Sequence, residues 1–279
     1  MNNYYSHTEK GVMYIPESIP GPTEVNKEYE NLIENFNSQI TSKCTCENCT
    51  ENGCICIQNS GGLNYIIQGE NDRKNYKLNS EKINKAYPII ECNDLCSCLN
   101  DCMNKVVQRG PIEGLYVKQC EREGKGLGLF TANFIPKGVF ICEYAGELIT
   151  LTEAARRYKN NIIHRRMNYI FCLKEHGKNN IMHTVVDPSQ FGNIGRYINH
   201  SCEANCEIVP VRINCPIPKI CVFSCVDIVQ DSEITFDYGI DKIDNAISIN
   251  TMLTKNRKNC LCGSAKCRGL LPFDIEDKN

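Results

Sequence analysis

The side chains with the clearest chemical potential are cysteines, of which the chain has 20 among 279 residues. They are unevenly spaced, because two short windows hold nine of them and a group of three lies near the C-terminus. The nine are Cys44, Cys46, Cys49, Cys54, Cys56, Cys92, Cys96, Cys98 and Cys102, and the three are Cys260, Cys262 and Cys267. Thiolates at this density favour a soft tetrahedral cation, and zinc is the expected one.

The number of cysteines in the first two windows matches a particular cluster. Three tetrahedral zinc ions in a triangle require twelve zinc–sulfur bonds, which six terminal and three bridging thiolates supply. Nine cysteines therefore predict a tri-zinc cluster. The C-terminal trio lacks a fourth ligand, so we expect another cysteine of the chain to complete a separate zinc site.

The alternative for so many cysteines is a secreted disulfide knot. The first twenty residues lack the apolar core of a secretory signal, and no run approaches the roughly 18 apolar residues that span a bilayer. We therefore expect a reducing compartment without membrane contact, where disulfides do not persist. The formal charge of -2 gives no electrostatic case for direct DNA binding.

The elements that must position these residues are mainly strands. Residues 111–240 contain short β-branched runs between turn residues, which predict a β-rich domain. One helix is expected at 151–159, with Thr152 as its cap. The polar segment 57–91 between the two cysteine windows is expected to be a surface loop.

Four motifs within this β-rich part identify a family when they are considered together. They are GKGLG at 124–128, EYAGEL at 143–148, GRYINHSC at 195–202 and EITFDYG at 233–239. In this order, after nine cysteines and before a C-x-C-x4-C tail, they resemble the SET-domain protein-lysine methyltransferases. The likeness covers about residues 40–275. It is strongest to the suppressor-of-variegation class and to members fused to a mariner-type transposase, although no transposase function is implied here.

The resemblance implies a mainly β SET fold with a pseudo-knot, a tri-zinc pre-SET segment and a zinc-bound post-SET tail. The expected divisions are an N-terminal arm 1–43, a pre-SET domain 44–110, a SET domain 111–240, a linker 241–255 and a post-SET motif 256–272. The pseudo-knot would supply Cys202 as the fourth ligand of the C-terminal trio. The alternative is that the trio recruits Cys206.

The resemblance also implies S-adenosylmethionine as the methyl donor. Its expected binding residues are Lys125, Gly126, Leu127, Tyr169, Arg196, Asn199 and His200. Leu127 stands where relatives often carry Trp, so we expect weaker packing on the cofactor there. Considered alone, Tyr169 would be a core aromatic residue and His200 a buried histidine or a metal ligand.

Three aromatic residues match the family's reaction site. Tyr238 matches its catalytic tyrosine, and Tyr144 is expected to line the lysine channel. Phe236 stands where members carry Phe or Tyr; a Tyr hydroxyl there can hold a water that crowds a methylated amine. Phe236 therefore predicts di- or trimethylation.

The expected partner is the histone H3 tail in chromatin, so we expect nuclear and chromosomal localisation. Thirteen bound thiolates and four Zn²⁺ would change the formal charge from -2 to about -7, which suits a basic peptide. Lysine 9 as the target is implied by the class alone. Two alternatives are a catalytically silent chromatin-binding module and a methyltransferase of non-histone lysines.

Overall fold

The structure is a computed structural model that describes residue 7 and residues 9–50, 53–67, 76–83, 88–177, 181–239 and 258–272. The predicted linker 241–255 lies outside the described residues. No helix in these ranges is long and apolar enough to cross a membrane.

The described elements are four α-helices, sixteen short strands and two 3-10 helices. The N-terminal half contains β1 Met13–Tyr14, β2 Ile19–Pro20, α1 Lys27–Asn37, α2 Ile55–Asn59, β3 Tyr65–Ile67, β4 Tyr76–Leu78, α3 Ser80–Ile83, β5 Ile89–Ile90 and the 3-10 helix Val107–Arg109. The C-terminal half contains β6 Leu115–Gln119, β7 Leu127–Thr131, β8 Phe140–Glu143, β9 Glu147–Ile149, α4 Leu151–Ile163, β10 Phe171–His176, β11 Ile181–Asp187, β12 Phe191–Gly192, the 3-10 helix Ile194–Tyr197, β13 Asn199–His200, β14 Cys206–Arg212, β15 Lys219–Ser224 and β16 Thr235–Phe236.

Two sheets position the motifs. One has the strand order β13-β16-β14-β15-β8, with β5 paired to β14, and the other has the order β10-β11-β9-β2. The parallel pairing of β13 with β16 sets Asn199 opposite Thr235 and His200 opposite Phe236. Two motifs that lie far apart in the sequence thus become neighbours. A core that includes Ile141, Val186 and Ile234 holds the sheets together.

Helix α4 confirms the predicted helix, but its cap differs from the prediction. The side chain of Thr150, not Thr152, accepts the backbone N–H of Glu153 at 2.9 Å. The Thr152 hydroxyl donates to Glu28 of α1 at 2.9 Å, and the same carboxylate accepts the Leu151 N–H at 2.6 Å. The expected cap was wrong because Thr150, three residues before Glu153, has the spacing of a capping residue, whereas Thr152 lies inside the first turn and contacts Glu28. The Glu28 carboxylate lies at the helix N-terminus, where negative charge is stabilising.

The segment 57–91 is more than the surface loop that was expected. Its described part contains the antiparallel pair β3–β4, and the Tyr65 ring is 1% exposed. The Tyr65 hydroxyl donates to buried Glu91 at 2.7 Å, and its ring stacks on Phe223 of β15 at 6.4 Å between centroids. This segment therefore connects the cysteine-rich part to the sheet that contains β15.

Candidate active site and zinc sites

Eight cysteines of the first two windows form three overlapping sets of four sulfur atoms. The sets are Cys44, Cys49, Cys54 and Cys92; Cys44, Cys56, Cys92 and Cys96; and Cys49, Cys92, Cys98 and Cys102. The shortest Sγ–Sγ contacts within these sets range from 3.6 Å for Cys56–Cys96 to 4.0 Å for Cys54–Cys92. Four sulfurs bound to zinc at about 2.3 Å lie roughly 3.8 Å apart at the corners of a tetrahedron. The spacing therefore fits zinc.

Three thiols in these sets recur, namely Cys44, Cys49 and Cys92, which is the pattern expected of bridging ligands. Amide groups surround the sulfurs. The Asn104 side chain donates to Cys92 Sγ at 3.5 Å, and the Cys44 N–H donates to Cys96 Sγ at 3.4 Å. Such donors stabilise thiolates and orient metal ligands. The ninth predicted ligand, Cys46, is outside the three sets, with its Sγ 3.5 Å from the Gly53 carbonyl oxygen.

The C-terminal trio gathers around Cys202. Cys202, Cys260, Cys262 and Cys267 place their sulfurs within 4.8 Å of one another, and the Cys202–Cys260 distance is 3.8 Å. Burial opposes ionisation of Cys262, but hydrogen bonds from Ser264 and from backbone groups lower the pKa of its thiol to about 5. Cys206, the alternative ligand, is 3% exposed in β14 and is absent from this set.

Four aromatic rings meet where the two central motifs converge. Phe236 is 4.9 Å from Tyr238, 5.7 Å from Tyr144 and 5.5 Å from Phe171, measured between ring centroids. The Tyr238 hydroxyl donates to the Ile198 carbonyl at 2.8 Å, and the Tyr144 hydroxyl donates to the Tyr169 carbonyl at 2.7 Å. The cluster combines an apolar wall with two phenol oxygens.

His200 joins the aromatic cluster to the C-terminal cysteines. Its Nδ1 accepts the Tyr238 N–H at 3.2 Å, which places the ring proton on Nε2, where it faces Cys202 Sγ at 3.3 Å. Burial lowers the pKa of His200, although the negative charge of Asp237 acts to raise it. A neutral His200 is thereby held in one tautomer between the catalytic tyrosine candidate and a zinc ligand candidate.

The glycine-rich loop and Asn199 share a carboxylate that sequence reasoning missed. The Asn199 amide donates to the Leu127 carbonyl at 3.0 Å and to Glu233 Oε1 at 2.9 Å. Lys125 forms an ion pair with the other oxygen of Glu233. Burial and this carboxylate raise the pKa of the neighbouring Cys120 to about 11, so its thiol stays protonated.

Two glycines shape this loop. Gly126 has a φ of +77°, which favours glycine, and the space where a Cβ would stand is open. A Cβ at Gly128 would lie 2.7 Å from Cys120 Sγ and 2.9 Å from Glu233 Oε1. Gly126 thus leaves space beside the backbone of the loop, and Gly128 allows Cys120 and Glu233 to pack closely against the backbone.

Arg196 and Tyr169, which are both expected to bind the cofactor, lie against each other. The Arg196 guanidinium is 4.5 Å from the Tyr169 ring centroid, donates to the Pro188 carbonyl at 3.1 Å and forms an ion pair with Glu9. Burial raises the pKa of Tyr169, although the positive charge of Arg196 acts to lower it. The contact with Glu9 ties the N-terminal arm to this cluster.

The structure therefore brings together the predicted Tyr144, Asn199, His200, Phe236 and Tyr238. Sequence reasoning missed Phe171, Glu233 and Glu9. Glu233 opens the EITFDYG motif, so its place was a usable signal. Phe171 and Glu9 carry none, because only the tertiary fold brings them to these clusters.

Comparisons with known proteins agree with this geometry. A SET domain model matches residues 126–239, and a Pre-SET motif model matches residues 1–105. The histone-lysine N-methyltransferase SETMAR of Rattus norvegicus is 37% identical over 272 residues, which cover 95% of this chain and 80% of the relative. The crystal structure of the methyltransferase domain of human SETMAR has a TM-score of 0.71 and 32% identity, covering 98% of this chain and 93% of that one. A crystal structure of Arabidopsis thaliana SUVH6 in complex with SAM has a TM-score of 0.69 and 26% identity, covering 96% of this chain and 52% of that one.

Proposed function

The chain belongs to the SET-domain histone-lysine N-methyltransferases, which use S-adenosylmethionine, and from this premise we propose that it methylates the tail of histone H3. The predicted mainly β SET fold is confirmed by the same findings, and both expected segments contain cysteine clusters that could bind zinc. The observation that supports the proposal most is the meeting of Tyr144, Phe236 and Tyr238 beside the Asn199–His200 pair. Lysine 9 as the target is supported by the class resemblance alone.

The reaction needs a neutral amine, whereas a free lysine has a pKa near 10.4. When bound, S-adenosylmethionine supplies an electrophilic methyl group. Around the amine, the rings of Phe171 and Phe236 exclude water and disfavour the ammonium form. The proton leaves to solvent before the tail closes, so the site requires no strong base.

Tyr238 and Tyr144 orient the amine in this proposal. Each hydroxyl donates its proton to a backbone carbonyl, and a phenol oxygen engaged in this way can still accept a hydrogen bond. We give both oxygens the role of acceptors for the N–H groups of the substrate lysine. The remaining nitrogen lone pair is thereby directed towards the methyl group, which is a matter of alignment.

Phe236 sets the product in this proposal. Its ring is 1% exposed and packs against Tyr144, Phe171 and Tyr238, so no hydroxyl holds a water beside the amine. Space is left for methyl groups already added. We therefore propose di- or trimethylation.

The residues around the glycine-rich loop fit the cofactor. The open side of Gly126 leaves the backbone of Lys125, Gly126 and Leu127 accessible to a ligand. Asn199 and His200 lie in the neighbouring strand β13. Arg196 stacks on Tyr169 and holds this ring at the pocket, which is the contribution we propose for that pair.

The cysteine sets fit three zinc ions in the pre-SET segment and one in the post-SET tail. Cys54, Cys56, Cys96, Cys98 and Cys102 would be terminal ligands, with Cys44, Cys49 and Cys92 bridging. We propose that a side-chain rotation of Cys46 adds the sixth terminal ligand. Zinc here stabilises the fold and takes no part in methyl transfer.

The histone tail would bind as an added strand. Among the described strands, β10 is the last in the order of its sheet, and the edge of a sheet is where an extended peptide can pair with backbone groups. The chain becomes more acidic once zinc thiolates form, which favours a Lys- and Arg-rich partner. Nuclear and chromosomal localisation follows from this substrate and is part of the proposal.

Methyl transfer to peptides tests the proposal. The zinc-replete chain is incubated with labelled S-adenosylmethionine and an H3 tail peptide, or the same peptide with lysine 9 replaced by alanine, and products are read by mass spectrometry. We expect label only on the first peptide, and loss of label with Tyr238→Phe. Tyr116→Phe, which removes a hydroxyl bonded to Asp231 at 3.0 Å outside the site, is the matched control. Tight peptide binding without label would favour the silent module, and label on other lysines would overturn the lysine 9 assignment.

A further inference from the structure

The described C-terminal tail, residues 258–272, contacts three motif segments. Leu261 lies against the glycine-rich loop, where its Cδ1 would be 3.5 Å from a Cβ built on Gly124. The Lys266 N–H donates to Glu203 at 3.2 Å, just after the NHSC segment. Arg268 reaches the EITFDYG segment. The tail therefore touches three of the segments that build the cofactor and reaction sites.

Arg268 is the residue of the tail where these contacts converge. Its Nη2 donates to Asp237 Oδ1 at 2.6 Å and lies 3.4 Å from His200 Nε2. Its backbone N–H donates to Cys202 Sγ at 3.3 Å. One residue thus contacts a zinc ligand candidate, the cofactor histidine candidate and the segment that carries Tyr238.

Asp237 is placed to transmit this contact. It stands between Phe236 and Tyr238, whose rings lie 4.9 Å apart, while its own carboxylate reaches the tail. The same oxygen accepts the Gly239 N–H at 3.2 Å. Because successive side chains of an extended chain point to opposite sides, the rings can face the reaction site while Asp237 faces the tail.

The zinc site alone does not set the orientation of the tail. Only Cys202 among its four candidate ligands comes from the SET domain, so the zinc site by itself attaches the tail at one point. The Lys266–Glu203 hydrogen bond and the Leu261 contact attach the tail to other segments. Among these contacts, only the Arg268–Asp237 pair reaches the segment that carries Tyr238, and it therefore fixes the tail relative to that residue.

We infer that Arg268 is a positioning residue that holds the zinc-bound tail on the Tyr238 segment through Asp237, so that this ion pair favours the closed form of the substrate channel. The inference deepens the proposed function, on which the identity of the channel rests. The two side chains are 36% and 32% exposed, so solvent screens the pair. The effect therefore falls on closure of the channel and leaves global stability nearly unchanged.

The test compares Arg268→Gln, Asp237→Asn and their double variant with the wild type. We expect each single variant to raise the KM for the H3 peptide about threefold to fivefold, which is the upper part of the range for a solvent-screened ion pair, with a smaller change in kcat. The double variant should be no worse than either single variant. Arg268→Lys should recover part of the loss. Lys266→Gln, whose side chain is 83% exposed and 3.5 Å from Glu203, is the matched control and should change KM less than twofold.

Two further measurements separate this inference from the proposed function. Limited proteolysis by chymotrypsin reports tail docking without turnover, and zinc content reports the metal site. We expect faster cleavage of the tail in Arg268→Gln, with zinc content equal to that of the wild type. Faster tail cleavage in Arg268→Gln, together with a wild-type chain that does not methylate H3, would support the positioning role of Arg268 and overturn the proposed function. Three results would overturn the positioning role of Arg268. They are an active Arg268→Gln enzyme with unchanged KM and unchanged tail cleavage, additive losses in the double variant, and loss of zinc from Arg268→Gln.

Discussion

Replacing Glu233 by Gln should weaken cofactor binding without altering the reaction site. Glu233 accepts the Asn199 amide with one oxygen and the Lys125 ammonium with the other. Glutamine keeps the shape but has only one oxygen, so its amide group must face either a donor of Asn199 or the ammonium of Lys125. One of the two contacts is lost, and the glycine-rich loop loses an anchor.

The size of the effect follows from burial. A hydrogen bond to a charged group contributes about 1.5–3 kcal/mol when it is shielded from water. The Lys125 and Glu233 side chains are 11% and 19% exposed, so some screening remains. We take about 1–2 kcal/mol for the lost contact, which corresponds to a Kd for S-adenosylmethionine raised roughly fivefold to thirtyfold. Because Tyr144 and Tyr238 are untouched, kcat at saturating cofactor should change less than about twofold.

Calorimetric titration with S-adenosylmethionine measures this change. Glu123→Gln is the matched control, because Glu123 is exposed two residues before Lys125 and should leave the Kd unchanged. Lys125→Met combined with Glu233→Gln should weaken binding less than the sum of the two single changes. An unchanged Kd in Glu233→Gln, or a kcat that falls as steeply as the affinity, would refute the anchoring role.

Three further changes test other parts of the molecule. Phe236→Tyr should shift products towards monomethyl lysine in mass spectra, and trimethyl product at the wild-type rate would contradict the space argument. Glu28→Ala, which removes the carboxylate at the N-terminus of α4, should lower the free energy of unfolding by about 1 kcal/mol in denaturant titration. Glu30 is, like Glu28, in α1, and among the described contacts its side chain pairs only with exposed Lys27, so Glu30→Ala should change the free energy of unfolding by less than half as much. A zinc chelator should release the metal of the half-buried C-terminal site before that of the buried pre-SET sets, with methyl transfer lost in the first step; simultaneous release of all zinc would contradict this order.

Local patterns predicted the parts of the fold that depend on neighbours in sequence. Cysteine spacing identified eleven of the twelve residues that the structure gathers into four-sulfur sets, and the family resemblance supplied Cys202. Short apolar, β-branched runs predicted β8, β11, β14, β15 and β16. The cap of α4 was missed although its signal is local, because Thr150 and Glu153 have the T-x-x-E spacing of a capping box. The contact of Glu28 with Thr152 could not be predicted in this way, because the two residues lie more than 120 positions apart.

Of the proposed reaction site, the sequence predicted only the residues that lie in motifs. Tyr238 and Asn199 lie in motifs, whereas Phe171 lies in β10 and reaches Phe236 through the packing of two sheets. The Lys125–Glu233 pair joins residues 108 positions apart. Sequence spacing carries no information on such pairs, because side-chain contact between distant strands is set by register and packing.

Cys46 is the residue at which the proposed three-zinc stoichiometry and the side-chain position differ. Eight cysteines form the three sulfur sets, and with Cys44, Cys49 and Cys92 as bridges between three zinc ions they would leave one zinc–sulfur bond unmade. The set of Cys44, Cys49 and Cys54 takes Cys92 as its fourth member, although Cys92 already belongs to both other sets. A thiolate that bridges three zinc ions would need one more bond than a bridge between two. The unmade bond therefore falls at this set, and Cys46, two residues from Cys44 and half-buried, is the nearby thiol that remains to make it.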